Sequence, residues 1–197
     1  MTTIYIMRHS EVLKPNIINN SDSLELQNQK WSLTRNGEKI ANQKSNNNEF
    51  QNFDLVISSN YVRTIQTAKY FSDKIYIDES FNERKFGIDS WDELPKDFEK
   101  DQLEDFNYKM EKGESINEII KRQYNSLINL LSNNKDKKIL IVGHTTALSS
   151  LLSKWCKIKE GVCSYNNQII FDRNWSYLET FKLTFEDTKI ISIKHIK

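Results

Sequence analysis

The feature that most constrains this fold is a run of four large aliphatic residues at 139–142, within the stretch KKILIVGH. An unbroken apolar run of this kind is typical of a strand that is buried on both faces, as in a parallel sheet covered by helices. Further apolar runs at 4–7, 53–59 and 74–78 predict three more strands. The sequence therefore favours a layered α/β fold with a mostly parallel central sheet.

Helical patterns separate these strands and follow the last of them. Apolar residues recur at intervals of three and four most clearly between 114 and 132. The spacing predicts helices over 33–47, 61–73, 114–132 and 145–156. Near the end of the chain, residues 176–196 predict two strands joined by a turn at Glu186 and Asp187.

The length of 197 residues suits one domain, and we expect residues 1–197 to form it. The segment 87–113 is polar and acidic, and it contains Trp91, Pro95 and Phe98. It is interpreted as a helical insertion that caps one end of the sheet.

Composition argues against several kinds of partner. The 28 Lys and Arg residues nearly balance 27 Asp and Glu residues, and the net charge of +1 gives no support for binding to nucleic acid or to a membrane surface. No apolar run approaches the length of a membrane span. The two cysteines, Cys156 and Cys163, have neither metal-site nor disulfide-framework spacing, which favours a reducing cytoplasm. The sequence does not indicate an oligomeric state.

Charged side chains follow three of the predicted strands at the point where each strand ends. They are Arg8 and His9 after the first strand, Arg63 shortly after the second, and His144 with Thr145 after the third. Because the carboxyl ends of parallel strands meet at one edge of a sheet, we expect these groups to come together. Two guanidiniums beside helix N-termini predict an anion site, and phosphate fits it best.

This combination permits chemistry as well as binding. A neutral imidazole is a nucleophile, and nearby cations lower its pKa and keep it unprotonated. Attack on phosphorus releases an alkoxide that needs a proton, and Glu83, after the fourth predicted strand, is the candidate donor. Zinc is an alternative ligand for histidines and a carboxylate. The histidines lack metal-site spacing and the arginines would repel a cation, so no metal is predicted.

Six motifs resemble those of the histidine phosphatase superfamily, which includes the phosphoglycerate mutases. They are MRHSE at 7–11, LTRNGEKIA at 33–41, SSNYVRTIQTA at 58–68, FNERKFG at 81–87, KGESINEIIKR at 112–122 and IVGHTTAL at 141–148. One such motif alone would be weak, but six in the family's order along the chain are specific.

The resemblance implies a three-layer α/β/α sandwich that acts on a small phosphorylated substrate. It implies that His9 is the phosphorylated nucleophile, that Arg8, Arg63 and His144 form the phosphate pocket, and that Glu83 is the acid/base. The leading hypothesis is a cytoplasmic phosphomonoesterase without metal or cofactor. The alternatives are a mutase-type phosphotransferase, which would need a bisphosphoglycerate primer, and a non-catalytic phosphate-binding module.

Two positions depart from the family pattern. Ser10 stands where Gly is usual, and its hydroxyl is expected near the phosphate. The Trp-Asn pair of the mutases is absent, which leaves Asn16 as the nearest candidate for an amide contact. Together with Thr145, these two residues complete the predicted phosphate-binding set.

Three other charged residues are expected to lie outside the site. His195 is interpreted as structural or exposed, and Lys121 and Arg122 as part of a solvated helix face. The physiological substrate has no motif that identifies it.

Overall fold

The computed structural model describes residues 1–14, 22–159 and 162–196. The strands are β1 Thr2–Arg8, β2 Leu55–Ser58, β3 Ile75–Ile77, β4 Lys138–Gly143, β5 Lys157–Lys159, β6 Val162–Tyr165, β7 Gln168–Phe171, β8 Thr180–Glu186 and β9 Lys189–Ile196. The α-helices are α1 Leu24–Lys30, α2 Arg35–Ser45, α3 Val62–Ala68, α4 Phe98–Glu104, α5 Ile116–Asn133 and α6 Thr145–Leu152. Within these ranges, no helix combines the length and the apolar character needed to cross a membrane.

Six of the described strands form one sheet in the order β3, β2, β4, β1, β8, β9. The first four are parallel, and the register sets Ile4 beside Ile139 and Arg8 beside Gly143. β8 runs antiparallel to β1, and β9 runs antiparallel to β8. The predicted mostly parallel sheet is confirmed, as are the two strands near the end of the chain.

Helices cover both faces of this sheet because successive residues of each buried strand point to opposite sides. Ile4 and Ile6 pack in the cluster that contains residues of α5 and α6. Tyr5 and Met7 pack in a second cluster with residues of α2 and α3. These four side chains are buried, and each contributes roughly 1.5–3 kcal/mol of transfer free energy. The result is the expected α/β/α arrangement of three layers.

The segment 87–113 begins and ends at two glycines, Gly87 and Gly113, whose backbones are in contact. A Cβ atom at Gly87, whose φ is +71°, would lie 2.1 Å from the backbone nitrogen of Gly113, so both positions need the small residue. Between them lie a single 3₁₀ turn, Trp91–Glu93, and helix α4.

A second, three-stranded antiparallel sheet, β5–β6–β7, was not expected. The predicted helix over 145–156 is wrong beyond Leu152, because the chain turns at 153–156 and enters β5. β6 and β7 are joined by Asn166 and Asn167, with φ of 50° and 63°. Two consecutive left-handed residues make the tight hairpin turn for which asparagine is well suited.

Candidate functional site

His9 follows β1 directly and is held by bonds at two points. Its backbone N–H donates to the Gly143 carbonyl at 3.0 Å, which extends the pairing of β1 with β4. Its ring Nδ1 lies 2.7 Å from the carbonyl oxygen of Ser10. Because a carbonyl oxygen can only accept, Nδ1 carries the proton and Nε2 keeps a free lone pair. The backbone thereby selects the tautomer that a nucleophile attacking through Nε2 requires.

His144 lies beside His9, with the ring centroids 5.4 Å apart. Arg63 Nη2 lies 3.2 Å from His144 Nδ1, and Ser59 Oγ lies 2.8 Å from His144 Nε2. A guanidinium can only donate, so Nδ1 accepts from Arg63 and the Nε2–H donates to Ser59. Ser59 Oγ is in turn 2.7 Å from Thr64 Oγ1, and this chain of bonds fixes the neutral form of His144.

Burial and positive charge dominate the electrostatics of this cluster. Burial, Arg63 and Arg8 lower the pKa of His9 to about 3, although the bond to the Ser10 carbonyl opposes the shift. Burial and then Arg63 hold the pKa of His144 well below its usual value. Burial also lowers the pKa of Arg63 to about 10. Both imidazoles are therefore neutral at physiological pH while both guanidiniums remain charged.

Arg8 is the last residue of β1, and one of its buried donors has no partner among the described residues. Its Nη1 donates to the carbonyl of Trp175, and its guanidinium carbon lies 4.7 Å from the ring centroid of Tyr177. Its Nε is buried and has no hydrogen-bond partner among the described residues. A buried donor left unpaired costs about 1–3 kcal/mol, which an anionic oxygen at this position would recover.

Glu83 reaches this cluster from the connection that follows β3. Its Oε1 accepts from the backbone N–H groups of Arg84 at 2.9 Å and Ala147 at 3.1 Å. Ala147 lies in the first turn of α6, two residues after Thr145, so the carboxylate sits at the positive end of that helix. Its charge also acts on the guanidiniums of both Arg8 and Arg63.

Arg122 holds the connection that carries Glu83, and its predicted place on a solvated helix face is wrong. Its guanidinium donates to the carbonyls of Ser80 at 2.6 Å, Asn82 at 2.9 Å and Glu83 at 3.2 Å. It also forms an ion pair with Glu114 at 2.8 Å. Arg122 therefore fixes the backbone on which Glu83 stands, whereas its neighbour Lys121 is exposed.

Ser10, Thr145 and Asn16 are the other residues that the sequence predicts to contact phosphate. The Ser10 hydroxyl donates to the Gly37 carbonyl at 2.6 Å, and the Ser10 N–H donates to Thr67 Oγ1 at 3.0 Å. Ser10 is not among the residues with positive φ, so this position does not need glycine. Thr145, the first residue of α6, lines a cavity together with Arg8. Asn16 lies outside the described residues.

Comparison with known proteins decides the family. The model for the histidine phosphatase superfamily, branch 1, matches residues 4–168 of this chain. The chain belongs to the histidine phosphatase superfamily. The match includes His9, Glu83 and His144, and it ends before the loop at 172–179 that contacts Arg8.

Solved structures share this fold. A mycobacterial glucosyl-3-phosphoglycerate phosphatase superposes with a TM-score of 0.70, at 15% identity, over 98% of this chain and 96% of that one. A mutant of the phosphoserine phosphatase of Entamoeba histolytica, in complex with phosphoserine, gives a TM-score of 0.66 at 19% identity, over 98% and 97% of the two chains. A search of curated proteins finds no match. Among the described residues, no group of His, Cys, Asp and Glu side chains could hold a metal ion.

In this member of the histidine phosphatase superfamily, the loop at 172–179 adds residues to the candidate site that no sequence pattern indicated. Tyr177 lies beside both Arg8 and His9, and Leu178 is buried with a φ of 60°, which is uncommon for a bulky residue. Glu179 secures the loop, because its carboxylate accepts from Ser176 N–H, Arg173 and His195. His195 thus has a structural partner, as expected.

Acid should weaken this fold because His9 and His144 stay neutral when buried. An unfolded histidine has a pKa of about 6.5, whereas that of folded His9 is about 3. Between these values the unfolded chain binds a proton that the folded chain does not. The free energy of unfolding should fall with decreasing pH, by up to about 1.4 kcal/mol per pH unit for each histidine, and these groups should have no effect above about pH 7. Urea unfolding at several pH values measures this slope.

Other acidic groups titrate at low pH, so the informative quantity is a difference between variants. The slope between about pH 6.5 and about pH 5 should be smaller in His9→Gln than in the wild type, since glutamine does not titrate. An unchanged slope in His9→Gln would show that His9 titrates normally in the folded protein.

Proposed function

We propose that this protein is a phosphomonoesterase that transfers a phosphoryl group to Nε2 of His9 and then to water. The observation that carries the proposal is the bond between His9 Nδ1 and the Ser10 carbonyl. That bond leaves a neutral Nε2 as nucleophile, in a cluster where Arg63 and the unpaired Nε of Arg8 supply positive charge and a donor.

In the first step, Nε2 of His9 attacks phosphorus in line with the bond to the leaving alcohol. The P–N bond forms as the P–O bond breaks, and the Glu83 carboxyl group, which takes up a proton with the dianionic substrate, gives that proton to the leaving oxygen through Oε2. The equatorial oxygens lie in the pocket of Arg8, Arg63 and His144, where the two guanidiniums neutralise their charge and His144 holds Arg63 in place. The positive charge that develops on the His9 ring is stabilised through its Nδ1–H bond to the Ser10 carbonyl.

In the second step, water attacks the phosphohistidine while the Glu83 carboxylate takes its proton. The P–N bond breaks, inorganic phosphate leaves, and His9 returns to its neutral form. No metal or cofactor takes part in this scheme. The free thiols of Cys156 and Cys163 fit a reducing cytoplasm as the site of action.

The structural neighbours support hydrolysis of a small phosphate ester. They are named as phosphatases of glucosyl-3-phosphoglycerate and of phosphoserine, and one neighbouring structure contains 3-phosphoglyceric acid. Their identity to this chain is low, so they support the reaction class and leave the substrate to be determined by assay.

A phosphoenzyme trap tests the proposal. Brief reaction with a radiolabelled aryl phosphate, followed by denaturation, should give a label that is stable to base, lost in acid and located at His9. Steady-state release of inorganic phosphate without bisphosphoglycerate should accompany it. A chain that turns over phosphate esters without ever carrying label would contradict the mechanism, and isomerisation dependent on bisphosphoglycerate would establish a mutase instead.

A further inference from the structure

The cavity beside Arg8 continues into a second, larger cavity along helix α6. The first has a volume of about 430 Å³ and includes Arg8 and Thr145 in its lining. The second has a volume of about 620 Å³ and extends to Ser153 and Lys159. Their linings share Leu103, Ile116, Thr146, Ser149 and Ile158, so the two form one continuous groove. Each part is large enough to hold a substantial organic group.

The floor of the groove is one face of α6 made of small side chains. Thr146, Ser149, Ser150 and Ser153 follow the helical spacing that brings residues to one face. Ser149 and Ser150 donate to carbonyls one turn earlier, and Ser153 donates to the Ser150 carbonyl. Because these hydroxyl donors are already bonded within the helix, the floor has space for a ligand and does not need that ligand to accept hydrogen bonds from them. From Thr146 to Ser153 it runs roughly 10 Å along the helix axis.

Apolar side chains make up much of the wall of the second cavity. They are Leu103, Phe106, Ile116, Cys156 and Ile158. Leu103 is 67% exposed and Ile158 is 36% exposed, although both are large aliphatic residues. Aliphatic side chains exposed along an open groove gain free energy when an apolar group covers them.

Charge is distributed unequally along the groove. At the end near β1, Arg84 is paired with Glu99 and Arg173 with Glu179, and Arg8 adds a third guanidinium. At the far end, Lys100 and Glu104 lie 3.8 Å apart and offset each other, and Lys159 contributes a positive charge at the rim beside the apolar walls. The groove thus has a cationic end and an apolar end, which is complementary to an anion that carries an apolar chain.

We infer that the groove binds the leaving alcohol of the substrate, and that the preferred substrates are phosphate monoesters of elongated apolar alcohols. This inference rests on the proposed function. The groove begins beside the site, because Arg8 and Thr145 line its first part. Glu83 is bonded to the N–H of Ala147, two residues after Thr145, so the proposed proton donor lies near the same end of α6.

Alkylphosphonates, which are not hydrolysed, test the groove separately from catalysis. Calorimetric Kd values for ethyl-, butyl-, hexyl- and octylphosphonate should fall by about two- to fourfold for each added methylene until the groove is filled. The corresponding alkyl phosphates should show a parallel rise in kcat/KM. Equal Kd values across the series would overturn the inference.

Two exposed positions provide a matched pair of variants. Leu103 and Ile169 are 67% and 66% exposed, but only Leu103 lines the groove. Leu103→Glu should reduce the ratio of octyl- to ethylphosphonate affinity by at least about tenfold, because a carboxylate then lies against the chain. Ile169→Glu should leave that ratio unchanged. An equal loss in both variants would refute the groove as the binding site.

The outcomes separate this inference from the proposed function. Chain-length dependence of phosphonate binding without turnover of any phosphate ester would support the groove and contradict the phosphatase. Turnover of phosphate esters without chain-length dependence of phosphonate binding would support the phosphatase and refute binding of the alcohol in the groove.

Discussion

Replacement of His9 by alanine is expected to lower kcat/KM by at least about 10⁴-fold and to abolish the phosphoenzyme. In the proposed mechanism the variant lacks the lone pair that attacks phosphorus, and no other described histidine has a ring nitrogen without a partner in this site, since both nitrogens of His144 are bonded. Single-turnover kinetics and acid-labile labelling measure the two effects.

The same variant should still bind inorganic phosphate, because Arg8 and Arg63 remain in place. Calorimetry on His9→Ala therefore separates loss of chemistry from loss of the site. His195→Gln is the matched control, since His195 pairs with Glu179, and it should still accept the label. Labelled His9→Ala would show that another residue is the nucleophile.

Substitution of Glu83 by glutamine is expected to slow the phosphorylation step by about 10²–10⁴-fold for an alkyl phosphate and far less for para-nitrophenyl phosphate. An alkoxide needs a proton as it leaves, whereas para-nitrophenolate is a stable anion. The amide oxygen of glutamine can still accept from the N–H groups of Arg84 and Ala147, so the change removes the proton and keeps the anchor. Rapid-quench measurements with both substrates give the two rates.

Glu79→Gln is the matched control, because Glu79 lies four residues earlier on the same connection and is exposed. It should leave the ratio of the two phosphorylation rates as in the wild type. If Glu83→Gln slows both substrates equally, Glu83 does not supply the proton, and its contribution is to the structure of the loop.

The main sheet and the meeting of Arg8, His9, Arg63 and His144 could be predicted from the sequence. Each of the three strands involved is an apolar run followed, directly or within a few residues, by an arginine or a histidine, and parallel pairing then leaves little freedom in where those residues lie. The motif FNERKFG was enough to single out Glu83 as the acid/base candidate. The hydrogen bond from the Ala147 N–H that anchors its carboxylate could not be predicted from the sequence.

Several of the contacts that sequence reasoning missed share a physical cause, because they are made to backbone carbonyls. Arg122 donates to three carbonyls, Arg8 donates to that of Trp175, and any residue type could have supplied these acceptors. The second sheet was missed because apolar residues at helical spacing continue through Cys156. The one contrary signal was the Asn166–Asn167 pair, which favours a hairpin.

The pairing of β8 with β1 has a consequence for the order of folding. Arg8 N–H donates to the Glu179 carbonyl at 3.0 Å, and its guanidinium to Trp175, which is 167 residues away. Strand β1 therefore waits for the loop at 172–179 and for β8, which are synthesised much later, before the end that precedes His9 is in place, and contacts so distant in sequence form slowly. During translation the edge of β1 stays open, and activity should return only in the final phase of refolding, which makes phosphate release a direct readout of complete folding.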